Sequence, residues 1–209
     1  MLYSGLLGDG TTTQPTFSTL ETMMVNSWST VKKNPSADGE MFTQIYGAAR
    51  TMYTVGSTGK LYTWGASTFN NYGSATVNSN VYLLGRNPLT ESNLKIGKAT
   101  FSNGFTTTKI CSNPATDSIF LINESGYTYL LGSYNSAFFD TPYQPVQFVG
   151  KKFIDCDVNE DAQVILFSNG QTYSKGRNMY GQLMIGNSNA DNTPTLIFAE
   201  SFFPVFYTN

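Results

Sequence analysis

Apolar and polar positions alternate along this chain in short runs, each cut off by a turn before it reaches the length of a helix. The stretch Tyr46–Gly65, YGAARTMYTVGSTGKLYTWG, sets the pattern: an apolar run TMYTV, a turn GSTG, and a second run ending in tryptophan and glycine. Thr58-Gly59 supplies the reversal, because glycine takes positive φ without steric cost and lets two strands fold back on each other. The same grammar returns in CSNPATDSIFLINESGYTYLLG at Cys111–Gly132 and in CDVNEDAQVILFSNGQTYSKG at Cys156–Gly176. Further strands are predicted at Met41–Tyr46, Val81–Leu84, Phe105–Cys111, Pro145–Val149, Phe153–Val158, Pro194–Phe198 and Phe202–Tyr207. No long segment carries apolar residues at i, i+3, i+4 and i+7, so helix is expected to be minor.

The turn glycines give a period. Gly59 and Gly126 stand 67 residues apart, and Gly126 and Gly170 stand 44 apart. The shorter interval is the length of one four-stranded propeller blade. The longer one is a blade plus an insertion, placed in Asn70–Thr100. The expected fold class is therefore all-β, built of β-propeller-type blades, with about three complete units plus a partial one in a single repeat domain over residues 1–209. Strands this short cannot bury a face alone, so stacked blades must share a core. Trp64, Tyr62, Tyr129, Ile165 and Phe167 are its expected members.

The run GAARTMYTVGSTGKLYTWG resembles the signature of the regulator-of-chromosome-condensation repeats. GQTYSKGRNMYGQLMIGNSNADNTPTLI is similar to the same signature extended, with Gly170, Gly176, Asn178, Tyr180, Gly181, Gln182, Leu183, Gly186 and Pro194 in the family's order. LLGDGTTTQPT at Leu6–Thr16 resembles the latter half of that pattern, and KKFIDCDV at Lys151–Val158 its strand before the hairpin. Members of that family form propellers of seven blades with about fifty residues each, and the resemblance here is partial, covering about four units. The family's usual histidine is replaced here by Arg50, Asp117 and Ala162. Guanine-nucleotide exchange on a small GTPase belongs to certain members of that family and depends on loop surfaces with no match in this sequence, so it is not carried over. What the resemblance implies is the blade, and a fold does not fix a function.

Composition narrows the chemistry. Charged residues are 12% of the chain, roughly half the usual quarter, and aromatics are 14%. A net charge of −2 gives no basic footprint for nucleic acid, and Lys32-Lys33 and Lys151-Lys152 read as solvated loop ends. No apolar run approaches the roughly 20 residues of a membrane helix, and Met1–Thr13 lacks the basic start and apolar core of a signal peptide. Neither membrane insertion nor cleavage of a leader is expected. With no histidine, the commonest general acid/base and the usual zinc ligand are both missing. The acidic cluster Asp155, Asp157, Glu160 and Asp161 reads as a polar strand edge, although Asp155 and Asp157 share a face as a paired acid/base or calcium site would require. The GDGTTT run reads as a blade turn rather than a phosphate loop, lacking a strand before it and a helix after it. Cys111 and Cys156 occupy the same position in two successive repeats, and read as small core residues rather than disulfide partners.

The expected protein is thus not an enzyme and needs no metal or cofactor. Low charge and the absence of a leader point to a structural or adhesion component of a bacteriophage virion, a tail, fibre or capsid-surface piece making protein or receptor contacts. The alternative is an intracellular, cytoplasmic propeller module that docks a partner protein. A third reading is a glycosidase-like propeller using Asp155 and Asp157. Expected partners are copies of itself or other virion proteins, with a cell-surface glycan or receptor as a further class. Aromatics give flat, low-entropy contact area, and Trp28, Phe69, Tyr72, Tyr134, Phe138, Phe139 and Tyr143 all fall in stretches that read as loops. Phe138-Phe139 is the candidate contact, at a loop tip flanked by Ser136, Asp140 and Pro142. Phe202, Phe203 and Phe206 are candidates at the open edge of the last unit, which opens at Gly181 and is expected to be covered by another chain.

Overall fold

The computed structural model describes residues 31–48, 51–65, 83–86, 90–112, 118–134, 137–158, 162–176, 178–183, 188 and 201–202. They form three antiparallel four-stranded blades. The first is β1 (Phe42–Ala48), β2 (Thr51–Gly56), β3 (Leu61–Gly65) and β4 (Gly97–Lys98). The second is β5 (Thr107–Ser112), β6 (Ser118–Asn123), β7 (Thr128–Tyr134) and β8 (Ala137–Tyr143). The third is β9 (Phe153–Val158), β10 (Ala162–Phe167), β11 (Gln171–Gly176) and β12 (Ser201–Phe202). No α-helix occurs among the described residues.

The three turn glycines are equivalent. Gly59, Gly126 and Gly170 have φ of 74°, 80° and 82°. Their amides donate to the carbonyls of Gly56, Asn123 and Phe167, each at 2.9 Å. Only a residue without Cβ takes this backbone freely. The turns also tie one blade to the next. Thr107 N–H donates to Gly59 O and Phe153 N–H to Gly126 O, each at 2.8 Å, so β5 and β9 start against the preceding blade's turn.

Between blades lie two apolar layers, and period-2 alternation feeds both. From β6, Ile119 and Leu121 pack against Tyr53, Val55 and Leu61 of the first blade. Phe120 and Ile122 of the same strand face the third blade, where Ile165, Phe167 and Tyr173 meet them. A strand buried on both faces reads as a continuous apolar run, which is why SIFLI shows no alternation. The expected core members Trp64, Tyr62, Ile165 and Phe167 are buried. Tyr129 is half-buried, edge-on to Phe105 at 5.0 Å.

Each blade is preceded by a 3-10 turn: Pro35–Ala37, Thr100–Asn103 and Val146–Phe148. One residue of each turn is buried, namely Ala37, Ser102 and Phe148. Ser102 Oγ receives the Leu61 N–H at 3.0 Å, and Phe148 sits 5.2–5.6 Å from the rings of Phe120, Phe167 and Tyr173. The strand expected at Pro145–Val149 is therefore corrected to a turn. Pro145 fixes the chain's entry at φ −56°, and Phe148 N–H closes back on Pro145 O at 2.8 Å. A second correction falls at Leu83–Leu84, which lie in a turn and are buried, while Val81 and Tyr82 of the expected strand fall outside the described residues. Thr63 Oγ donates to Leu84 O at 2.8 Å, just as Ser174 Oγ donates to Leu183 O at 2.7 Å in the third blade.

The interval assigned to an insertion ends in β4, which closes the first blade against β3. Arg86 anchors this excursion. Its buried guanidinium donates to the carbonyls of Thr63, Glu91, Ser92 and Lys95 at 2.9–3.2 Å and to Thr63 Oγ at 3.2 Å. Burial pulls its pKa down to about 10 while the Glu91 carboxylate opposes the shift, so it stays charged at neutral pH.

The two cysteines are joined, which overturns the expectation of separate core thiols. The reason is a register difference of one residue. Ile110 pairs with Leu121, and Cys156 pairs with Ile165, at the same distance before the turn glycine, so Ile110 is the equivalent of Cys156. Cys111 stands one residue further along and points to the opposite face. Strictly equivalent side chains would point the same way round the repeat and never meet. Offset by one, Cys111 faces forward and Cys156 backward across the joint, with Cα atoms 6.3 Å apart.

A tyrosine recurs in the third strand of each blade, and its partner differs each time. Tyr62 donates to Glu40 at 2.8 Å, Tyr129 packs on Phe105, and Tyr173 bonds Lys151. Burial works against the Glu40 carboxylate, but the hydroxyls of Tyr62, Ser57 and Thr58 hold it below its ordinary 4.5. Burial, and then Glu40, push the Tyr62 phenol well above its ordinary 10.0. A depressed carboxyl stabilises above its unfolded pKa and loses that as pH falls; a raised phenol stabilises below its unfolded pKa and loses that as pH rises. The pair is thus expected to stabilise the first blade fully between about pH 4.5 and 10. Thermal melts across pH should show Tyr62→Phe flattening the alkaline limb of the wild-type profile.

Candidate interaction surface

The rim that carries the three hairpin turns also carries exposed apolar side chains. Met41 is 71% exposed, and its carbonyl receives Ser57 N–H from the first turn at 2.8 Å. Val146 and Val149, 75% and 58% exposed, bracket buried Phe148 at the joint of the second and third blades. Ile154, also exposed, follows directly on Phe153. The geometry explains the valines. A 3-10 turn can send only one of its side chains into the joint, and Phe148 takes that place, leaving its neighbours in water. Lys151 and Lys152 lie on this rim as well, over the rings of Tyr173 and Tyr127 at 4.6 and 5.4 Å.

The candidates read from sequence are placed differently. Phe138 and Phe139 are not at a loop tip; they lie in β8, paired with Ser133 and Gly132 of β7. Phe139 is half-buried, packs on the second apolar layer and stacks on Tyr143 at 4.1 Å. Pro142 misled the reading, because proline suits an edge strand as well as a loop. Phe202 is in β12, opposite Gln171 in the third blade, rather than at the edge of a fourth unit. Phe203 and Phe206 lie outside the described residues, as do Trp28, Phe69, Tyr72, Arg50, Asp117, Glu160, Asp161 and the GDGTTT run.

Asp155 and Asp157 do sit on one strand, but Asp155 is engaged. Its Oδ1 meets Lys109 Nζ of the second blade at 2.9 Å and accepts the Cys156 N–H at 2.9 Å. The Lys109 hydrogen bond, then the Cys156 amide, hold its carboxyl below the usual range. A general acid needs the opposite shift. Asp157 Oδ1 accepts the Val158 N–H at 2.8 Å. Among the described residues, no three His, Cys, Asp or Glu side chains come together as a metal site would require. No helix among them is long and apolar enough to cross a membrane.

Val146 and Val149 were missed as surface residues, and a signal for them existed. Pro145 before V-Q-F-V, with Gly150 after it, spaces the two valines a 3-10 turn apart with one aromatic between.

No protein-family model matches this sequence, and no curated protein matches it. Solved structures do. Human WBSCR16 aligns over 97% of this chain and 47% of its own, with a TM-score of 0.58 at 14% identity. Prp20p from Saccharomyces cerevisiae, described with its binding properties to Gsp1p and histones, aligns over 84% of this chain and 42% of its own, with a TM-score of 0.56 at 16% identity. Yeast RCC1 (Prp20) solved with Kap60 bound gives a TM-score of 0.53 over 84% of this chain and 41% of that one. The fold is that of an RCC1-type β-propeller, and the chain spans less than half the length of each of these proteins.

Proposed function

We propose that this chain is a non-enzymatic propeller module that docks a partner protein on its turn rim. The observation that carries the proposal is the exposure of Met41, Val146 and Val149 beside turns whose register is fixed by blade-to-blade hydrogen bonds. Apolar side chains held on a rigid scaffold are what a protein partner buries at the centre of an interface. That yeast Prp20p binds Gsp1p and histones, and that yeast RCC1 binds Kap60, supports the same reading by analogy of fold. The virion reading draws no such support, and the intracellular interaction module is preferred to it. The glycosidase-like reading is weakened by the ion pair that holds Asp155.

A second copy, covering the outer edge of the third blade, is the second reading. There β12 is two residues long, and Phe202, Phe203 and Phe206 fall on or just after it. A strand edge of this kind is a template for another chain.

The test is quantitative co-purification from the source cells, comparing the wild type with a Val146→Ser/Val149→Ser variant. Both valines are exposed, so the variant is expected to melt with the wild type. Proteins retained by the wild type should fall by about tenfold or more on the variant, as loss of a central apolar contact predicts. A partner set unchanged by the substitution would refute docking at this rim.

A further inference from the structure

We infer that the Cys111–Cys156 bond is a redox-sensitive staple that locks the third blade to the second, and that a dithiol reductant opens this joint alone. The two joints share one hydrogen bond from the following blade to a turn glycine, and only the second carries a covalent bond. Between the first and second blades, Thr107 N–H meets Gly59 O, Ser102 Oγ meets Leu61 N–H, and Gln44 Nε2 donates to Thr108 O. Between the second and third, Phe153 N–H meets Gly126 O, Gln163 Nε2 donates to Cys111 O at 2.9 Å, and Lys109 pairs with exposed Asp155. The covalent bond is added to the second set only. Lys109–Asp155 is an exposed pair and contributes little, so the cystine is the strongest single tie across β5 and β9.

The register offset described above is what makes the bond geometrically available, and it places the two residues unequally. Cys111 is buried in the apolar layer, while Cys156 is half-buried and packs against that layer from β9. Attack therefore comes at Cys156. A thiolate of the reductant bonds to Cys156 Sγ, the bond to Cys111 breaks, and Cys111 leaves as a thiolate that takes a proton. The reductant's second thiol then displaces Cys156 and closes its own disulfide. Two electrons and two protons pass to the protein. The chain has two cysteines in all, so no third thiol of its own can reshuffle the bond. The switch has two states.

The bond closes a long loop, 45 residues in sequence separation, so its loss restores much chain freedom to the opened state. It also lies at the joint that carries Phe148, Val146 and Val149, so the redox state bears on that part of the rim.

Hydrogen exchange read by mass spectrometry, with alkylation of free thiols by iodoacetamide, tests this on the full chain. Air-oxidised protein should take up no alkyl group, and protein reduced with dithiothreitol should take up two. Reduction should speed exchange in β9–β11 by roughly 30- to 1,000-fold while β1–β3 change little. A Cys111→Ser/Cys156→Ser variant should match the reduced protein whether or not dithiothreitol is present. Two alkylated thiols in air-oxidised protein would overturn the proposal. So would unchanged exchange in β9–β11 once both thiols of the wild type are alkylated, a readout that does not depend on the variant folding.

Discussion

Replacing Phe148 by alanine is expected to destabilise the protein by about 3–5 kcal/mol. Phe148 is fully buried, and its ring meets Phe120 of the second blade and Phe167 and Tyr173 of the third. Alanine would leave a cavity between two rigid sheets, which cannot slide together without breaking the Phe153–Gly126 hydrogen bond. For a chain of this size the loss corresponds to a drop of about 6–20 °C in melting temperature. Phe148→Leu keeps most of the volume and should recover much of it. Denaturant unfolding measures both, and an unchanged midpoint for Phe148→Ala would show that the joint is not packed as described.

Arg86→Met should cost a comparable amount, about 3–5 kcal/mol, for a different reason. Methionine fills much of the same space but donates nothing. The carbonyls of Thr63, Ser92 and Lys95 would then lose a charged donor in a buried setting. Arg86→Lys should not restore stability, since one ammonium cannot reach the acceptors that a planar fork of five N–H groups serves. Denaturant midpoints of the two variants should therefore fall close together. Wild-type stability in Arg86→Lys would mean that charge alone, rather than the fork, holds the excursion onto β3.

These two residues also mark where the sequence stops being legible. The hairpins could be read because a turn glycine is a local requirement: positive φ at Gly59, Gly126 and Gly170 is written in the residue itself. The buried residue of each 3-10 turn could not. Ala37, Ser102 and Phe148 share a place but no chemistry, because their surroundings differ: Ala37 packs with Tyr62, Trp64 and Ile96, Ser102 takes the Leu61 amide, and Phe148 fills the joint of the second and third blades. The same holds for Glu40, Phe105 and Lys151 against their tyrosines. Nothing local marks Arg86 in the sequence, because the carbonyls that bury it come from Thr63 and from positions 91–95.

The cysteines were misread for a sharper reason. Aligning Cys111 on Cys156 overlooks that the connection from β5 to β6 is two residues longer than that from β9 to β10, which makes Ile110 the residue equivalent to Cys156. In a strand, one residue is the difference between two faces. The candidate surface fared the same way. Phe138 and Phe139 drew notice as bulky aromatics among loop-like neighbours, while Val146 and Val149 looked like an ordinary strand. Which apolar residue is exposed depends on what already fills the joint, and that is a tertiary fact.

The central claim, docking of a protein on the turn rim, is tested most directly by lysine-reactive cross-linking of the chain with its co-purified partners. Lys60 follows the first turn, Lys151 and Lys152 stand at the joint beside Val149, and Lys95 lies away from them in the excursion held by Arg86. The account predicts that cross-links to another protein concentrate on Lys151 and Lys152, with Lys60 next, and that Val146→Ser/Val149→Ser abolishes them. Cross-links that concentrate on Lys95 and persist in the variant would contradict it.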